Sequence, residues 1–200
     1  MSDTSYPLNI AGPKVAISDA EPAFYVVSKR KFTILFLATL GLYYVYWFYK
    51  NWSRYQDQAP YASEAKNTIW PFPRAMFAVF FVHSLFRKIR EYGIDKPQVD
   101  AWANGTHAGL VVLLLLVSNA LDRLASKGIG SPWTDLLSLL ILAPMLFAFL
   151  NAQDIINVAC DDPTGAGNAT LSVANYVWIV IGVIFWLLIF VGLVLPDPGS

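Results

Sequence analysis

Two hundred residues of which 56% are hydrophobic, 15% aromatic and only 14% charged fall well short of the roughly 25% charged residues of a soluble domain, which excludes a water-solvated globule as the leading reading. Fourteen Lys plus Arg against fourteen Asp plus Glu leave no basic excess for a phosphate backbone, so nucleic acid is set aside as a partner. One cysteine, Cys160, and two separated histidines, His83 and His107, supply neither an internal disulfide nor a metal-ligand cluster, and no metal or cofactor is expected.

Taken in chain order, Met1 to Ser28 holds Pro7, Pro13 and Pro22 in a polar setting, with no apolar run behind a charged start. It reads as an irregular arm rather than a cleavable signal, with Phe24 to Val27 as a short extended or docking piece. The arm, counted as residues 1–31, closes on Lys29, Arg30 and Lys31. An anionic leaflet attracts each such residue by roughly 1 kcal/mol, which makes these three candidate lipid-headgroup contacts. A helical membrane domain then covers residues 32–195. Its first segment, Phe32 to Tyr49, has 18 uncharged residues but crowds Tyr43, Tyr44, Tyr46, Trp47, Phe48 and Tyr49 into its second half, and such rings favour the headgroup level.

Beyond the polar loop Gln56 to Lys66, the second segment spans residues 70–86. It has only 12 uncharged residues from Ala75 to Phe86, behind Pro71, Pro73 and Arg74. That is short for a span and suits a re-entrant or interfacial helix equally well. Arg87, Lys88 and Arg90 follow as a second set of candidate headgroup contacts. Between Asp100 and Asp122 there is no charged residue, and Leu110 to Val117 is unbroken Leu and Val, which predicts a full span. Leu136 to Gln153 predicts another, with Ser131 as N-cap and Pro132 at the first helical position. Pro144 is expected to kink it, because the ring removes a backbone donor and crowds the preceding turn. After a Gly-, Asp- and Asn-rich loop, Asp161 to Ser172, the third span runs from Asn175 to Leu195 without a charge, and a Pro-Asp-Pro-Gly-Ser tail occupies residues 196–200.

Charge placement bears on the two uncertain segments. Twelve basic residues precede residue 101 and two follow it, Arg123 and Lys127. With five spans and the N-terminus inside, the inner loops hold eight basic residues and the outer ones six; with the first two segments re-entrant, the split is twelve to two. The second arrangement obeys the positive-inside rule better, while a transmembrane hairpin of two short helices remains an alternative.

No G-x-S-x-G, H-E-x-x-H or P-loop pattern occurs, so no catalytic residue is expected. His83 stands beside Ser84, but neighbours on a helix point about 100° apart, and a helix-packing role outweighs a catalytic one. Asn151, Asp154 and Asn157 recur every three residues and, with Gln153, form a polar stripe. Together with His83 and Asn119 they are the candidate intramembrane or pathway residues, weighed against a helix merely emerging into the headgroups.

Several of these stretches look alike to one known group. Phe24-Tyr25-Val26-Val27-Ser28 ahead of a basic cluster, Thr39-Leu40-Gly41-Leu42-Tyr43 leading to Tyr46-Trp47-Phe48-Tyr49, and the Phe80 to Ile89 element resemble a family of uncharacterised, mostly proteobacterial, small integral membrane proteins with a T-L-G-x-Y-x-x-Y-W-F-Y core. Gln153 to Asn157 and Asn175 to Trp178 are also similar, although Asp154 stands where a basic residue is the family's pattern. The resemblance implies a bacterial membrane protein and brings no activity, substrate or catalytic residue.

The expectation is therefore an all-α, polytopic helical protein of the bacterial inner membrane, with five membrane-embedded helices, at least three of them full spans, and a cytoplasmic N-terminus. Its expected role is non-enzymatic, a scaffold or accessory subunit contacting the inner leaflet, as a possible homo-oligomer or with a membrane-protein partner. A small oligomeric transporter or channel is the alternative.

Overall fold

The computed structural model describes residues 21–58 and 69–194. Most of the N-terminal arm, part of the first polar loop and the C-terminal tail lie outside the described residues. Within them every regular element is helical: α1 (Lys29–Ala38), α2 (Tyr43–Gln58), α3 (Pro71–Met76), α4 (Ala78–Tyr92), α5 (Pro97–Asp100), α6 (Asn104–Ala125), α7 (Trp133–Leu140), α8 (Leu142–Ala159) and α9 (Val173–Val194), with a 3-10 turn at Ala166–Asn168.

Three stretches are long and apolar enough to cross a membrane: Asn104–Ala125, Trp133–Ala159 and Val173–Gly192. They correspond to the three expected full spans. The middle one is broken at Ile141, between α7 and α8, three residues before Pro144. Pro144, expected to kink this span, has no N–H to offer the Leu140 carbonyl, and the helix is interrupted at Ile141, which itself keeps helical backbone angles. The N-terminal details shift by one residue. Pro132, not Ser131, occupies the N-cap position, the helix starts at Trp133, and the Ser131-Pro132 peptide is cis.

The segment Phe32 to Tyr49 is not one helix. The Ser28 hydroxyl accepts from the Lys31 N–H at 3.3 Å and starts α1, which is over after ten residues, about 15 Å. Thr39 ends it, donating its hydroxyl to the Leu35 carbonyl at 2.8 Å while accepting from the Tyr43 N–H at 2.9 Å, so that one side chain closes α1 and opens α2. Between them the chain reverses through Leu40 (φ 53°) and Gly41 (φ 87°), with the Gly41 N–H on the Phe36 carbonyl at 2.8 Å. A β-carbon on Gly41 would stand 3.0 Å from the Leu142 side chain, so this tip sits against the start of α8. Phe32 on α1 meets Tyr43 and Trp47 on α2, ring centroids 5.2 and 6.3 Å apart, and Phe149 of α8 completes the aromatic core between them.

Both outer ends of this hairpin lie towards the far end of α8. Lys29 pairs with Asp154, and Tyr55, near the end of α2, stacks on Phe24, whose ring also meets Tyr92 next to the Gly93 that is pressed on Ala159. α4 obeys the same polarity. Ala78, Val82, Leu85, Phe86 and Ile89, one face at helical spacing, are buried, while Phe77, Phe80, His83 and Arg87 are exposed. Gly93, just past its end, is pressed against Ala159, the last residue of α8. α8 is thus the hub, packed against α1, α4, α5 and α6, whereas α9 docks on α1. That last contact needs Gly182, whose missing side chain lets α9 touch the Ala38 carbonyl, and the Trp186 indole donates to the Leu37 carbonyl at 2.8 Å.

Candidate functional site

The candidate polar residues do not converge on an opening. His83 is exposed on α4. Asn119, also exposed, turns its amide back to the Leu115 carbonyl of its own helix at 2.8 Å. Asn151 is exposed, Asp154 is half-buried and paired with Lys29 at 3.0 Å, and Asn157 is completely buried. The three-residue spacing therefore does not make one stripe. The buried polar face of α8 is Gln153 and Asn157, one turn apart at i, i+4.

These two amides hold the extended segment 23–28. Asn157 accepts from the Val27 N–H at 3.3 Å and donates to the Val27 carbonyl at 3.0 Å, pairing with that residue as a neighbouring β-strand would. Gln153 donates to the Tyr25 carbonyl at 3.1 Å and to Asn157 at 2.7 Å, and accepts from the Trp47 indole. On the other side Asn51 accepts from the Tyr25 N–H at 3.1 Å, and Asn168 donates to the Val26 carbonyl at 2.9 Å. Extended backbone buried without a sheet leaves its N–H and C=O groups costly unless paired, and four side-chain amides supply the pairing. Asn157, one of the candidate pathway residues, is used as a clamp: its oxygen and amide group are occupied by backbone and by Gln153. Phe24 and Val27, both without exposed surface, make the end of the arm part of the core.

Gly165 finishes the clasp. Its φ of +67° suits glycine, and a β-carbon there would lie 2.5 Å from the Val27 and Ser28 backbone. The loop carrying it is organised by Asp162, whose carboxylate accepts from the Gly167 and Ala166 N–H groups at 2.8 and 2.9 Å; these bonds hold its pKa below the usual carboxylate range.

The basic candidates have different fates. Arg30 is exposed and Lys29 is shared with Asp154. Arg87 and Lys88 reach Glu91, and Arg90 reaches Asp100 at 3.0 Å, all at partly exposed positions. Lys31 departs from the exposed-cluster expectation. It is buried, and its ammonium donates to the Asn168 side chain at 2.7 Å and the Thr170 carbonyl at 2.8 Å. Burial lowers its pKa.

Two arrangements escape sequence reasoning. His107 accepts from the Trp102 indole at Nδ1, 2.9 Å, so its proton sits on Nε2, which donates to the Ala148 carbonyl at 2.9 Å; it is a bridge between α6 and α8. An apolar groove of about 470 Å³ opens between the α1–α2 turn and α9. Its walls come from segments 140 residues apart, and only the run of aromatic and aliphatic residues in each hints at it. Among the described residues no group of three His, Cys, Asp or Glu side chains is placed to hold a metal ion. No family model, curated protein or solved structure matches the chain.

Proposed function

We propose that this protein is a non-enzymatic scaffold or accessory subunit of a bacterial inner membrane, anchored by three spans, with residues 29–58 and 71–92 inserted from the side of the N-terminus without crossing. The observation that carries this reading is the use of the buried amides: Asn51, Gln153, Asn157 and Asn168 are engaged with backbone and do not line an opening. Support for insertion without crossing comes from the hairpin, whose ends both lie towards the Ala159 end of α8 and whose α1 arm, about 15 Å, is half the roughly 30 Å needed to cross. Exposed Trp70, Phe72, Met76, Phe77 and Phe80 on α3 and α4 give the second insertion an acyl-facing surface. With three spans, twelve basic residues lie on one side and Arg123 and Lys127 on the other, which orients the N-terminus to the cytoplasm.

Cysteine labelling tests the arrangement. In a Cys160→Ser background, intact cells treated with a membrane-impermeant maleimide are expected to label Ser126→Cys, in the turn after α6, and to leave Ser63→Cys unlabelled until the cells are opened. Labelling of Ser63→Cys from outside restores five spans. Reconstituted protein tests the role: flux of ions or small solutes above empty liposomes, lost in Asp154→Ala, replaces the scaffold with the transporter.

A further inference from the structure

The groove beside α9 has a shape and a depth, and beyond its polar end a buried lysine, that together describe one ligand. Its floor is Leu35 and Ala38 of α1, one wall is Leu42 and Tyr46, and the other is Trp178 and Phe185 of α9. From Ser172 at its polar end to Phe185 the groove follows α9 for thirteen residues, about 20 Å, close to the depth of a single leaflet with its interface. The polar end carries Ser172 and Asn175, hydrogen-bonded to each other at 3.0 Å. Two residues before Ser172 is Thr170, whose carbonyl holds the Lys31 ammonium.

Lys31 does not line the groove; it lies one helical turn before Leu35, which does, and its buried ammonium reaches the chain just ahead of Ser172. Its ammonium has three donors, of which two are used by neutral oxygens, and among the described residues no carboxylate pairs with it. A buried cation without a counter-charge is costly, and the groove delivers an anion to that end only if its occupant is amphipathic. We propose that the groove binds one acyl chain of an anionic phospholipid, with the phosphate beside Lys31 and the chain lying between α1, α2 and α9.

The proposal rests on the reading that α1 and α2 dip in from the cytoplasmic side, and it is tested separately from it. Full-length protein purified in detergent is titrated with phosphatidylglycerol or phosphatidylcholine and observed by native mass spectrometry. The expected result is a single lipid per chain with about fivefold preference for phosphatidylglycerol, the size of one basic residue's attraction near an anionic surface. Lys31→Met should abolish the preference while retaining the weaker phosphatidylcholine adduct. Ala174→Trp, at an exposed position on the groove wall, should reduce both adducts at least tenfold without changing thermal unfolding. Equal affinity for the two lipids overturns the proposal, as does an adduct that survives Ala174→Trp or a second copy of the chain in place of lipid. The Ser63→Cys labelling pattern, read on the same variants, reports the topology independently: protected Ser63→Cys without a selective adduct removes the lipid site alone.

Discussion

Asn157 sets the residue scale, because one side chain satisfies both the N–H and the C=O of Val27 across 130 positions of sequence. Asn157→Ala leaves two buried backbone groups unpaired, at about 1 to 3 kcal/mol each, and is expected to destabilise the protein by about 2 to 5 kcal/mol, read as lowered thermal stability in detergent. Liposome flux is expected to be the same for wild type and variant. Cys160 has a different chemistry. It is half-buried, and burial pushes its thiol up to about 11. Thiolate is the reactive form, and an ordinary thiol has a pKa of about 8.5, so at pH 7 Cys160 should react with maleimide on the order of 10²-fold more slowly than an exposed cysteine. The rate should climb tenfold per pH unit from 7 to 10; a fast, pH-independent reaction contradicts the assigned environment. Residue identity was legible here and residue role was not. Asn157 is conspicuous as a polar group in an apolar run, but nothing in its neighbours says that its partner is Val27.

At the scale of elements, the docking of α9 depends on a close approach at one glycine. Gly182 brings α9 onto the Ala38 carbonyl, where any side chain overlaps the backbone of α1. Gly182→Leu is expected to separate the two helices and break the Trp186 bond to Leu37, seen as a red shift of tryptophan emission and new protease sensitivity after α9, with α6 and α8 still inserted. In the loop before it, Gly165→Ala combines a positive φ with overlap on Val27 and Ser28, and should cost about 2 kcal/mol or more in thermal unfolding. The three long helices are legible because an uncharged run of about twenty residues or slightly fewer needs no partner to be recognised. The α1–α2 turn is hidden for a physical reason. Leu40 takes a positive φ that its type seldom adopts, and Gly41 alone, amid apolar residues, is equally compatible with a continuous helix. The packing of Phe32, Tyr43, Trp47 and Phe149, together with the Thr39 and Gly41 hydrogen bonds, makes the reversal favourable.

At the scale of the whole molecule, charge and ion pairing among the described residues are unevenly distributed along the chain. Ion pairs of Lys29, Arg54, Arg87, Lys88, Arg90 and Lys96 belong to elements before α6 or to their contacts with the end of α8, whereas the turn between α6 and α7 carries Lys127 and follows Arg123. Three additional lysines between residues 126 and 131 should therefore weaken the orientation and produce a mixed population, measured as partial protection of Ser126→Cys in intact cells.

The clasp on residues 23–28 also imposes an order of events during synthesis. Tyr25 and Val27 are translated 128 and 130 residues before Gln153 and Asn157, a delay of roughly 10 s at ordinary elongation rates. Through that interval the aromatic hairpin is made and emerges with neither its amide partners nor the Phe149 ring against which it closes. The nascent chain must therefore be sheltered, by lipid or by an insertion factor, until its last third arrives to lock the first.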